Sequence, residues 1–141
     1  MAKLVLDTNC LIQCLARRNY SHELWLSFID GRNQLCVTTE ILNEYEEVLE
    51  RKADAEFANI IMELITNSQN TLLVTPVFRF NVIEEDPDDN KFLDCAVAAG
   101  AICIVTNDKH FRHLSKHVFP YVEILKLHEA IAMLFGTHGI E

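Results

Sequence analysis

The sequence is poor in the residues that break or staple a chain. Its four glycines, at 31, 100, 136 and 139, are too scattered to form a Walker loop or a G-x-G-x-x-G turn, which argues against a nucleotide cradled by glycine. Three prolines and no repeats or low-complexity tracts leave nothing that reads as a repeat array or a linker. No apolar run is long enough to cross a bilayer. The opening Met-Ala-Lys-Leu-Val-Leu-Asp reaches a carboxylate before any signal-type region develops, so a soluble cytoplasmic protein with no membrane partner is expected. The cysteines (10, 14, 36, 95 and 103) form no C-x-x-C pair and sit in apolar stretches, as reduced, buried thiols do. Positive charge is scarce: a net charge of −9 argues against nucleic-acid binding over the whole surface, while leaving room for a local basic groove or a metal site that consumes acids.

What the chain does have is apolar content, 50% of its 141 residues, enough for one domain with a substantial core. We assign residues 1–135 to that domain and 136–141 to a loose tail. Residues 3–6, 35–38, 71–75, 102–105 and 121–127 read as short apolar strands. Helices are expected from Thr8 or Asn9 to about Arg17, over 21–30 with Ser21 as cap, and from a Thr39 cap through Tyr45 and Leu49. Others are expected over 55–67, 90–99 (ended by Gly100), 107–116 and 129–135. Strands that are uniformly apolar and alternate with helices imply a parallel sheet covered on both faces: a three-layer α/β/α sandwich of four or five strands.

In such a sheet ligands bind beyond the carboxyl ends of the strands. Asp7 directly follows the first strand, and Asp108 follows the 102–105 strand after Thr106 and Asn107. Glu44 lies in the second turn of the helix after strand 35–38. Asp89 opens the helix leading into strand 102–105, and placing it at the same rim requires the preceding loop to cross over. Singly, each acid has a plain structural reading. Asp7 could be a helix cap, Glu44 a solvated helix acid, Asp86, Asp88 and Asp89 a turn and N-cap, and Asp108 another cap. Together, two carboxylates about 4 Å apart at an effective dielectric near 20 would repel by about 4 kcal/mol. A cation or retained protons must offset that. All-oxygen ligands favour Mg²⁺ or Mn²⁺, suited to phosphodiester hydrolysis.

Four strings, Leu-Asp7-Thr-Asn, Ile41-Leu-Asn-Glu44-Tyr, Asp88-Asp89-Asn-Lys-Phe-Leu and Gly100-Ala-Ile-Cys-Ile-Val-Thr106-Asn-Asp108, resemble the PIN-domain family of metal-dependent ribonucleases. The likeness is strongest to the bacterial toxin components of toxin–antitoxin pairs and runs from residue 3 to about 127. It implies that Asp7, Glu44, Asp89 and Asp108 are the catalytic acids and hold Mg²⁺ or Mn²⁺. It implies further that Thr8, Asn9 and Thr106 orient the acids or a bound water, and that Asp94 supports them from within its helix. An RNA substrate, a cognate antitoxin protein and a homodimer are implied as well.

Two rival signals remain. An aspartyl phosphatase on a similar sheet would want an acid two residues beyond Asp7, where Asn9 stands. His110, His113 and His117 share one helical face and could bind zinc, though a solvated face is the plainer reading. With Lys109, Arg112 and Lys116 they form the densest basic patch, placed to touch RNA phosphates. Arg17 and Arg18 are a second candidate RNA contact. Trp25 and Phe28 are spaced for burial. The expected function is therefore a metal-dependent endoribonuclease, the alternative being a non-catalytic PIN-like binding or scaffold module.

Overall fold

The structure, a computed structural model, describes residues 1–77, 90–109, 111 and 122–136. Five strands, β1 (Ala2–Leu6), β2 (Asn33–Val37), β3 (Thr71–Leu73), β4 (Cys103–Val105) and β5 (Glu123–Leu125), form one all-parallel sheet in the order β3-β2-β1-β4-β5. Leu4 stands opposite both Leu35 and Cys103, and Leu6 opposite Val105. Among the described residues six helices, α1 (Thr8–Leu15), α2 (His22–Asp30), α3 (Thr39–Lys52), α4 (Ala55–Asn67), α5 (Asn90–Ala99) and α6 (Leu127–Phe135), complete the expected three-layer architecture.

The central strands are apolar throughout because both faces are covered. Leu4, Val5, Leu6, Leu35, Cys36, Val37, Cys103, Ile104 and Val105 are all buried, as are Trp25, Phe28 and the remaining cysteines, which are free thiols. Among the described residues no helix is long and apolar enough to cross a membrane.

Several element ends differ from expectation, each for a local reason. The α1 cap is Asp7, not Thr8 or Asn9: its extended backbone lets Oδ1 accept from Cys10 N at 2.8 Å. That helix stops at Leu15 rather than Arg17, because Ala16 turns extended and its N–H reaches back to Gln13. Thr38, not Thr39, caps α3 by accepting from Ile41 N. Ser21 precedes α2 without a side-chain cap bond, its hydroxyl donating instead to Asn19. Gly31 closes α2 at φ 87°, a left-handed conformation that a side chain would strain, and Asn70 donates to the Phe28 carbonyl beside it. β1 and β2 begin one and two residues earlier than expected, β3, β4 and β5 are shorter than their apolar runs, and α6 starts two residues early. Of the helix expected over 107–116 only the start is described, and all of the tail beyond Gly136 lies outside the described residues.

Sheet order has a functional consequence. From β1 the chain proceeds outward through β2 to β3, then crosses to β4 and β5 on the other side of β1. The order reverses between β1 and β4, and the carboxyl ends of those two strands flank the crevice where open α/β sheets bind ligands.

Candidate active site

Asp7 and Asp108 stand at that crevice, one beyond each strand. Asp7 N donates to Val105 O at 3.0 Å, which ties the end of β1 to the end of β4. Thr106, buried just after β4, joins the two acids. Its hydroxyl donates to Asp7 Oδ2 at 2.5 Å and accepts from Asp108 N at 3.0 Å. Glu44 comes in on α3. Thr8, buried in the first turn of α1, donates its hydroxyl to Glu44 Oε2. The buried hydroxyl of Tyr45, one residue after Glu44, donates to the carbonyl of Leu6, one residue before Asp7, at 2.6 Å.

These side chains line one cavity of about 490 Å³, whose walls are Asp7, Thr8, Asn9, Glu44, Val48, Arg51, Phe92, Asn107 and Asp108. Burial raises the Asp7 carboxyl above its ordinary value and the neighbouring Asp108 charge adds to this, while hydrogen bonds from Thr106 and Cys10 pull the other way. The same burial, with Asp7 nearby, pushes the Cys10 thiol far up, so it is a packed core thiol.

Lys91, absent from the sequence reading, donates to Glu44 Oε1 at 2.9 Å. Part of the positive charge expected to offset the acids is thus a lysine of the chain itself. The first turn of α5 reaches the rim, because a helix antiparallel to the strands begins where they end; the loop before it lies outside the described residues. Phe92, from the same turn, lies in the cavity wall. Asp89, immediately before α5, lies outside the described residues. Among the described residues no group of three or more His, Cys, Asp or Glu forms a ready ligand set.

The other expected contributors divide. Asn9 lines the cavity and accepts from Lys52 Nζ at 3.5 Å. Asp94 is buried in α5, 4% exposed, and is not part of the cavity wall. Lys109 is exposed directly after Asp108. Arg112, Lys116, His110, His113 and His117 lie outside the described residues. Arg17 and Arg18 are exposed past the end of α1, and Arg17 lines a different concavity, with Tyr20, His22, Arg32 and Phe135. Arg51 was missed although a signal existed: Glu44, Val48 and Arg51 recur at helical spacing on the cavity-facing side of α3.

A PIN domain family model matches residues 3–110, and this chain belongs to the PIN domain family, whose members are generally nucleases. Among solved structures it is similar to VapBC2 from Rickettsia felis bound to a DNA fragment from its promoter. The TM-score is 0.62 at 15% identity, over 88% of this chain and 98% of that one. No curated protein sequence matches the chain.

Proposed function

We infer that this chain is a Mg²⁺- or Mn²⁺-dependent endoribonuclease and that the cavity at the β1/β4 crevice is its active site. The observation that carries the reading is the coupling of Asp7 and Asp108 through Thr106, with the Asp7 carboxyl pushed up by burial and by its neighbour. Such an arrangement is unfavourable alone and becomes favourable with a cation between the acids.

The donor set fits a hard divalent ion: oxygens only, on three walls of one cavity, with no thiol or imidazole among the lining residues. Asp7, Asp108, Glu44 and Asp89 would hold it. When bound, such an ion polarises a phosphodiester and lowers the pKa of an attacking water. The chain's own residues do the remaining work. Thr106 fixes the Asp7 carboxylate and the turn bearing Asp108, and Thr8 fixes Glu44. Arg51, Lys52 and Lys109, with Arg112 and Lys116 further along the sequence, take RNA phosphates; Asp94 supports α5 from within.

The biological setting we favour is the toxin of a toxin–antitoxin pair, cytoplasmic, homodimeric and held by a cognate antitoxin. The support is the family together with the likeness in fold to VapBC2, itself a toxin–antitoxin complex. Residues 1–135 act as one nuclease domain.

The test pairs two measurements on the purified chain and on Asp7→Asn. The unaltered chain should cleave single-stranded RNA only with Mn²⁺ or Mg²⁺ present, and Mn²⁺ should raise its melting temperature. Asp7→Asn should lose both responses, with cleavage down at least about 100-fold. Mn²⁺-dependent stabilisation without any cleavage would favour the scaffold alternative; absence of both responses would overturn the reading.

A further inference from the structure

Lys91 sits where lysines seldom do. Its side chain is only 12% exposed, its Nζ lies 2.9 Å from Glu44 Oε1, and it stands 5.1 Å from the centroid of the Phe92 ring. An ammonium is strongly hydrated, and lysine stems normally carry it out to water. Arg51, on the same cavity, does stay exposed. The Lys91 ammonium is instead drawn inward, onto an acid of the site, at the first turn of a helix whose neighbour Phe92 forms part of the cavity wall. Glu44 is thereby engaged at both oxygens, by Lys91 on one and by the Thr8 hydroxyl on the other.

We propose that Lys91 is the resident counter-cation of the acidic cavity, a positioning residue that occupies Glu44 in the absence of a divalent ion and competes with that ion for the carboxylate. The proposal rests on the reading of the cavity as a divalent-ion site. Two cations drawn to one carboxylate repel each other, and the Lys91–Glu44 contact has to loosen before Glu44 serves as a ligand. Metal affinity is therefore held below what the acids alone would give. Without an ion, the same contact keeps the site from collapsing or splaying under its own negative charge. A packing role would need only an unbranched apolar chain, which is why methionine separates the two explanations.

Calorimetric titration of Mn²⁺ into the full chain, with no RNA present, tests this in the unaltered protein, Lys91→Met, Lys91→Gln and Lys91→Arg. Lys91→Met and Lys91→Gln should bind Mn²⁺ at least about tenfold more tightly, equivalent to about 1.4 kcal/mol, and melt at lower temperature without metal. Lys91→Arg should stay close to the unaltered chain in both respects. The glutamine variant keeps the test decisive if the methionine variant fails to fold. Unchanged or weaker Mn²⁺ binding in the Met and Gln variants overturns the role of Lys91 while leaving the metal site standing. No Mn²⁺ binding by the unaltered chain overturns the site and this role together.

Discussion

Two concavities of similar size, about 490 and about 530 Å³, mark opposite kinds of surface on this molecule. The first is the cavity at the β1/β4 crevice, walled by carboxylates, hydroxyls and amides. The second lies between α2 and α4, where Ile29, Ile60 and Leu64 are joined by Glu63 and a run of amides and a serine over 67–70. The apolar groove leaves Ile60 and Leu64 about half exposed, a cost in hydrophobic free energy but no electrostatic one. The acidic cavity instead keeps a carboxyl half-buried beside another acid, which a protein retains against its own stability. Size does not tell the two apart; unfavourable electrostatics does, and the proposed active site rests on it.

The comparison can be broken at either end. The largest effect should come from Thr106→Val, which keeps the shape of the side chain but removes the hydroxyl joining Asp7 to the Asp108 backbone. Mn²⁺ affinity and RNA cleavage should each fall about 10- to 100-fold, measured by titration and by cleavage rate. A change under threefold would show that the two acids are independently placed.

A smaller effect concerns pH. Because the Asp7 carboxyl is raised in the folded chain, the unfolded chain releases its proton first as pH rises from the ordinary carboxylate value. The folded state then holds more protons across that window, so stability falls as pH rises through it and stays reduced above it. Asparagine caps helices as well as aspartate does, so Asp7→Asn removes the penalty and spares the cap. In chelator, the variant should melt about 3 °C above the unaltered chain at pH 7, with the difference shrinking toward pH 4. An equal difference at both pH values would remove burial of charge as the cause.

The smallest effect belongs to the groove. Ile60→Glu and Leu64→Glu should leave Mn²⁺ affinity and RNA cleavage unchanged and alter stability by no more than about 0.5 kcal/mol. A tenfold loss of cleavage would mean that the two concavities are not separate in function.

Much of this arrangement was legible beforehand, and the misses have physical causes. Strand identity and parallel pairing followed from uninterrupted apolar runs such as Leu4-Val5-Leu6 and Cys103-Ile104-Val105, since only a sheet covered on both faces tolerates them. The rim positions of Asp7, Thr8, Thr106 and Asp108 were legible because each lies within three residues of the carboxyl end of a strand, where chain position and rim position coincide. The α3 cap was misplaced by one residue, and the α1 cap left open among Asp7, Thr8 and Asn9, because Thr-Thr and Asp-Thr-Asn offer adjacent side chains that cap equally well, and only backbone angle selects between them. Lys91 was not legible: its contact joins α5 to α3 across a long stretch of chain, and nothing in Asn-Lys-Phe marks a lysine that turns inward. Arg51 was obscured because Glu40, Glu46, Glu47 and Glu50 give the polar surface of α3 an acidic signature in which one arginine carries little weight.

The bond from Tyr45 to the Leu6 carbonyl carries one more consequence. It clamps the residue after Glu44 to the residue before Asp7, deep in the interior, so the span between those acids is set by the core rather than by their mutual aversion. With the backbones anchored that way, adaptation to a guest is left to the side chains. On the proposed reading of the cavity as a divalent-ion site, a phenol that never meets the solvent would help to set the frame in which those side chains move.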